Sequence, residues 1–402
     1  MRCFFLQRGS VSHHAAHKKT HAICQYKSRN FGKFSLTLQI VRYEAQLDAF
    51  MKTRTLLFFL FLPFILMVCK NEKDNDTRQP TEPTRTNYSD EWVIVETDIS
   101  ACTDDLFALD ILYRAMDEGK FTLKAVMVNR EGEEHARIAD IMNTYYNHPD
   151  IPIGVVHDGV KDAEIFVDYW KLAYPETYTD VPAYPTSLSN LELAQLPDAV
   201  DLYRQILSTA EDNSVNIVSI GFATNLARLL QSQPDGYSEL NGNELVEQKL
   251  KALYIQAGTF GVNPVPDYNF QQDPESAKTL ITLWPTAVYF SPVESGQEYS
   301  YESTDIMADL QSSGREDSPI YHVYAHHHTD ADTRMWDAMC ALQLVEPELF
   351  TLKGPYESYL DSEMMLCSNF SPNGKHFVQS PPQTAEEHDK VMNYLRDWMR
   401  KP

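Results

Sequence analysis

The chain has 402 residues, 43% of them hydrophobic, enough to bury one large core or two ordinary ones. Its 57 Asp+Glu outnumber 34 Lys+Arg for a net charge of −23, and a surface of that sign repels a phosphate backbone, which disfavours a nucleic-acid-binding role. The six cysteines show no short paired spacing, so neither a zinc site nor a disulfide framework is expected.

Residues 1–50 hold eight Lys/Arg against two Asp/Glu, so the remainder carries −29. They include the tract "HHAAHKKTH" but no periodicity, and they are read as lying upstream of the true start at Met51. From Met51 a basic start leads into "FLFLPFILMV", residues 59–68, and then Cys69. The apolar run is short and broken by Pro63, the layout of a secretory signal over 51–69 and not of a membrane span. Cys69 closing "LMVC" resembles a bacterial lipobox, although Val68 is atypical before the cleavage point. This implies an exported protein, periplasmic or on the cell surface, that touches a membrane only through a lipid on Cys69. Residues 70–90 are polar and proline-bearing, as a tether should be, and 91–402 are expected to form one domain.

From Trp92 on, the runs "WVIVE", "TLKAVMV", "IPIGVV", "NIVSIG", "KALYIQAG" and "TAVYF" are short, unbroken and β-branched, which predicts buried strands. Between them "LFALDILYRAM", "EHARIADIMNTYY" and "PESAKTLITLW" carry helical spacing, with Gly119 as a terminator of the first. Such alternation predicts an α/β fold, a mainly parallel open sheet with helices on both faces, whose ligands collect beyond the carboxyl ends of the strands. Residues 157–214 and 291–333 lack clear strands and read as insertions that shape a pocket.

Polar residues crowd these strand ends. The first strand runs into "ETDISACTDD", with Asp98, Asp104 and Asp105 in one turn, where uncompensated carboxylates repel unless a cation sits among them. Asp104 or Asp105 would serve as a helix cap, but capping leaves Asp98 unexplained. "GFATN" brings Thr224 to a helix start, "DYNFQQDPESA" carries Asp267 and Asn269, and "WD" places Asp337 in the first turn of a late helix. Each alone has a plain structural explanation as cap, turn residue or dipole partner. Cys102 has no evident base partner and reads as a packing residue.

Taken in order, these four motifs resemble the inosine-uridine-preferring nucleoside hydrolases, with their "DTD…DD" turn, "GPLTN" turn, "E-x-N…DPEAA" segment and late "HD", over roughly residues 92–350. The longer first turn is similar to the variant "DTDIGSDCDD". Glu96, Ser100 and Cys102 depart from that variant, and Trp336 replaces the usual histidine. The resemblance implies a nucleoside-hydrolase-like fold and a calcium-dependent hydrolase of N-ribosyl bonds. Calcium would be held by Asp98, Asp105, the Thr224 carbonyl and Asp337, because this hard cation takes six to eight oxygens. Asp98 would also be the general base for the attacking water. Asp104, Asp267, Asn269 and, less directly, Asn129 would face the sugar, and Trp336 or a tyrosine of 165–184 would stack on the leaving base. The implied partner is a small nucleoside or N-ribosyl compound, with a homo-oligomer left open. A catalytically weak nucleoside- or ribose-binding lipoprotein of the same fold is the alternative. A haloacid-dehalogenase-type phosphotransferase ranks low, because Glu96 stands where that chemistry needs an aspartate.

Overall fold

Side chains of β1 (Trp92–Thr97) alternate between two cores, since successive residues of a strand face opposite sides of the sheet. Val93 and Val95 enter one apolar cluster and Ile94 enters the other. A strand buried on both faces reads as the continuous apolar run seen in the sequence, and helices must cover both sides of it. This is a computed structural model that describes residues 91–100, 102–261, 264–326 and 333–401, all within a unit spanning Glu82–Pro402. The predicted signal segment, Cys69 and the tether lie outside the described residues.

All six predicted strands form: β1, then β2 (Thr122–Arg130), β3 (Ile153–Val160), β4 (Val215–Ser219), β5 (Leu250–Gln256) and β6 (Ala287–Ser291). Ser300–Tyr301 (β7) and Thr333–Arg334 (β8) pair separately as a small antiparallel ribbon. Beyond them come β9 (Leu352–Leu360), β10 (Leu366–Phe370) and β11 (His376–Gln379). The main sheet has nine strands in the order β10-β9-β11-β6-β5-β4-β1-β2-β3. From β11 to β3 every pairing is parallel, while β9 and β10 close one edge as an antiparallel hairpin. The fold expected from the alternation is therefore present, with an added antiparallel edge.

Helices Asp104–Asp117, Glu133–Tyr145, Trp336–Val345 and Ala385–Met399 pack on one face, and Ala199–Thr209, Thr224–Gln231, Gly242–Lys249 and Pro274–Leu283 on the other. Gly119 ends the first helix as predicted: its φ is +76°, and its N–H and that of Lys120 return to Met116 and Ala115 carbonyls at 2.8 and 3.0 Å. The start of that helix differs from expectation. Thr103 holds the cap position but its hydroxyl accepts from Tyr324 at 2.8 Å and not from the helix backbone, and Asp104 and Asp105 are the first helical residues, so neither caps it. The chain leaves β3 in one direction and returns through β4 on the other side of β1. The junction of β1 and β4 is thus the switch point of the sheet, where the carboxyl ends open a crevice.

Candidate functional site

At the end of β1 the period of two divides the work. Glu96, on the same side as Ile94, is wholly buried and receives amide N–H groups from Asn129 (2.9 Å) and Asn225 (3.2 Å). Burial pushes its carboxyl up to about 8 against the lowering effect of Asn129, Tyr203 and Asn225. Thr97 faces the opposite side and donates its hydroxyl to Asp105 at 2.5 Å. Asp98 follows at the crevice and is 4% exposed. Burial raises its carboxyl to about 7; Arg130 opposes that rise, and Asp104 and Asp267 add to it.

The turn after Asp98 is held from outside. Ser100 adopts φ +88° and gives its N–H to the Tyr169 hydroxyl at 2.6 Å, which in turn donates to the Cys102 carbonyl at 2.9 Å. Tyr169 is therefore consumed in the turn and is not a stacking residue. The Cys102 thiol is raised by burial and then by Asp104, Asp337, Asp105 and Asp98, which keeps it protonated among carboxylates.

Asp104 accepts the Asp337 backbone N–H at 3.1 Å, so it caps the helix Trp336–Val345 in place of its own. Asp105 has one oxygen on Thr97 and the other, Oδ2, buried with no partner. Asp337 is buried, and its carboxyl is raised by burial and then by Asp104, Asp105, Asp98 and Asp267. The mutual electrostatics place five expected residues, Asp98, Asp104, Asp105, Asp267 and Asp337, around one crevice. Asp267 also caps the short helix Tyr268–Gln272 through Phe270 N–H at 3.0 Å, and Asn269 donates to the Gln256 side chain at 2.9 Å.

Three of the expected residues also make structural bonds that the sequence did not indicate. Asn129 gives its amide N–H groups to Glu96 and the Phe222 carbonyl and takes the Phe222 N–H at 3.1 Å, so it locks β2 to the turn after β4 instead of offering a free amide to a sugar. Thr224 opens the helix Thr224–Gln231, but Ala223 holds the cap position, and the Thr224 hydroxyl donates to Asp273 at 2.7 Å. Trp336 is half-buried and donates its indole N–H to the Val293 carbonyl at 3.0 Å, against Gly296, whose missing side chain makes room for the ring.

Sequence inspection missed Arg130, Tyr268 and Gly221. Arg130 is a buried cation that lowers Asp98 and Asp105, and its only signal was a lone arginine at the end of an apolar run. Tyr268 stands between Asp267 and Asn269 with its ring 6.3 Å from Phe222, within the electrostatic reach of Asp98. Gly221 lies so close to Asp98 that an added Cβ would come within 2.5 Å of the Asp98 nitrogen.

Among the described residues no three His, Cys, Asp or Glu side chains stand as a ready-made metal cluster. The donor chemistry nevertheless fits a hard cation. The donors are all oxygens, the carboxylates raise one another, and Asp105 Oδ2 is buried without a hydrogen-bond partner.

The profile of the family described as inosine-uridine preferring nucleoside hydrolase matches residues 93–369. The chain belongs to that family. It is a hydrolase acting on N-glycosyl compounds, and nucleoside hydrolases of this family usually bind a metal ion. The chain is 25% identical over 271 residues to the pyrimidine-specific ribonucleoside hydrolase RihA of Klebsiella pneumoniae, covering 62% of this chain and 78% of that protein. Its fold is similar to that of the plant nucleoside hydrolase PpNRh1 (TM-score 0.58, 18% identity, 78% of this chain and 100% of that one). A purine-preferring ribonucleoside hydrolase from Gardnerella vaginalis is also similar in fold (TM-score 0.56, 15% identity, 77% and 99%).

Proposed function

We propose that this nucleoside hydrolase cleaves the N-glycosidic bond of ribonucleosides or related N-ribosyl compounds with calcium as its metal. The observation that carries the proposal is the gathering of Asp98, Asp104, Asp105, Asp267 and Asp337, from three separated segments, at the switch point of the sheet. So many buried carboxylates against one arginine leave an excess of negative charge that a divalent cation balances. Asp98, Asp105 and Asp337 would hold it through their carboxylates, with the Thr224 carbonyl as a fourth donor. When bound, the cation supplies Lewis acidity to a water and a template for sugar hydroxyls.

The chain's own residues supply the remaining chemistry. Asp98 takes a proton from the water that attacks the anomeric carbon, while the carbon–nitrogen bond breaks through an oxocarbenium-like state and the base departs. Asp267 and Asn269 hold ribose hydroxyls so that ring and water meet in line. Trp336 and Tyr268 present flat apolar surface to the leaving base. The chain is also proposed to be exported from Met51 with Cys69 acylated. Mass spectrometry that finds residues 1–50 on the mature protein would overturn that part.

The test is a panel of purine and pyrimidine nucleosides incubated with the protein and calcium, scored for free ribose, with Asp98→Asn and Asp337→Ala alongside. Release of ribose that stops on chelation and returns with calcium supports the proposal. Asp98→Asn should lose on the order of a hundred-fold in rate while still binding calcium, because an amide cannot accept the proton. Asp337→Ala should lose ion and activity together. Nucleoside binding without ribose release would instead favour a binding protein of the same fold.

A further inference from the structure

Arg130 does more than offset the charge of Asp98 and Asp105. It is the last residue of β2 and is 1% exposed. The pairing of Thr97 with Val128 puts it beside the turn that follows Asp98. A buried guanidinium ordinarily seeks a carboxylate. Among the described residues Arg130 makes no ion pair; its two terminal nitrogens donate to the backbone carbonyls of Ala163 and Glu164, the second at 3.4 Å. The Tyr268 hydroxyl donates to the same Glu164 carbonyl at 3.2 Å, and the Phe166 ring lies edge-on to Tyr268 at 5.6 Å. Glu131, the next residue, anchors the start of the same segment through Gly159 N–H at 2.9 Å and Lys161 at 2.6 Å.

Bonds from Arg130 and Tyr268 and the Phe166–Tyr268 ring contact therefore fix residues 163–166 beside the Asp267–Asn269 segment. Ile165 and Phe166 on that segment are 42% and 47% exposed, large apolar side chains kept in water, and Phe166 lies against Tyr268, the residue between Asp267 and Asn269. We infer that Arg130 is a positioning residue, which holds segment 163–166 so that Phe166 stays beside Tyr268 as part of the wall against which substrate binds. The inference rests on the nucleoside hydrolase proposal for its substrate, but the anchoring itself does not. Arginine suits the task because its planar fork spans two adjacent carbonyls, which a lysine ammonium cannot do.

The experiment compares the parent, Arg130→Lys, Phe166→Ala and the double variant in the full chain. Hydrogen exchange of the 163–167 amides should run roughly tenfold faster in Arg130→Lys, with the amides of β1 and β4 unchanged. For a nucleoside that the parent hydrolyses, KM should rise roughly tenfold in either single variant with kcat within about threefold, the signature of lost binding rather than lost chemistry. The double variant should be no worse than the poorer single, since both act through one segment. Unchanged exchange in Arg130→Lys overturns the inference, as does a fall in kcat alone or fully additive effects on KM. If the parent releases no ribose from any nucleoside, the substrate proposal fails while the exchange measurement still decides the anchoring.

Discussion

The backbone N–H of Asp337 donates to the carboxylate of Asp104 at 3.1 Å across 233 residues of sequence. This bond joins the first residue of the helix Asp104–Asp117 to the start of the helix Trp336–Val345, two helices that pack along one another. Burial raises Asp104 to about 6, and the backbone N–H groups of Asp337, Asp104 and Trp336 hold it down from going further. Asp104→Asn keeps an oxygen for the N–H and removes a charge from a repelling set, so the metal-free protein should melt no lower than the parent. Asp104→Ala leaves the helix end uncapped and should cost about 1 kcal/mol, read by denaturant unfolding. Equal stability of the alanine variant and the parent would show that the bond does not hold the helix.

Ser100 sits at φ +88° with its hydroxyl buried and unpartnered. A left-handed conformation costs an ordinary residue roughly 1–2 kcal/mol, and a buried hydroxyl with no bond adds to that. Glycine removes both costs but loses about 0.5–1 kcal/mol through the freer unfolded chain. Ser100→Gly should therefore stabilise the protein by about 1 kcal/mol, raising the melting temperature by a few degrees. A variant that melts at or below the parent would mean that the Tyr169 bond to the Ser100 N–H depends on the serine.

The six central strands were legible because each is buried on both faces, which writes an unbroken apolar run into the sequence. The hairpin of β9 and β10 was not. "LKGPYESYL" and "LCSNF" lie at the edge of the sheet with much of their surface in water, so their side chains keep only half of the signal that burial imposes. The acidic crevice was legible by its excess of charge: Asp98, Asp105, Asp267 and Asp337 stand out as carboxylates at strand ends. What those groups bond to was not legible. Asp104 caps a helix formed 233 residues later, and Asn129 is absorbed by Glu96 and Phe222, partners set by tertiary packing alone. Arg130 carried no motif, because its partners are backbone carbonyls, which any sequence possesses.

Gly221 follows β4 where that strand's exit passes the end of β1. A Cβ there would stand 2.5 Å from the Asp98 nitrogen and 2.6 Å from the Asn129 oxygen, and only the side chain has room to shift. Gly221→Ala should cost about 1–3 kcal/mol by overpacking. Because the strain falls on Asp98, activity should drop more than folding does, by roughly tenfold or more in kcat at temperatures where the variant is fully folded. Full kcat in a folded Gly221→Ala protein would show that the Asp98 backbone tolerates displacement.

Asp309 lies far from the crevice in sequence and role, and it gives the protein a pH-dependent anchor for its last helix. Burial pushes the Asp309 carboxyl up, but the Tyr301 hydroxyl and the Arg400 and Arg396 guanidinium groups bond to it, and the net direction is below the ordinary range. Arg396 is on the helix Ala385–Met399 and Arg400 closes it, so the ionised carboxylate ties that helix to Ser303–Ser312. A carboxyl lowered by folding stabilises the native state above its unfolded value, near pH 4, and that contribution disappears as the pH falls through the lower folded value. Asp309→Asn accepts weaker bonds and does not titrate. It should melt a few degrees below the parent at pH 7, and the gap should close as the pH drops below about 4. The two arginines are partly exposed, so added salt should narrow the gap at neutral pH as well. A gap that stays constant from pH 7 to pH 3 would show that the Asp309 charge does not hold the helix, and that its hydrogen bonds or its packing do.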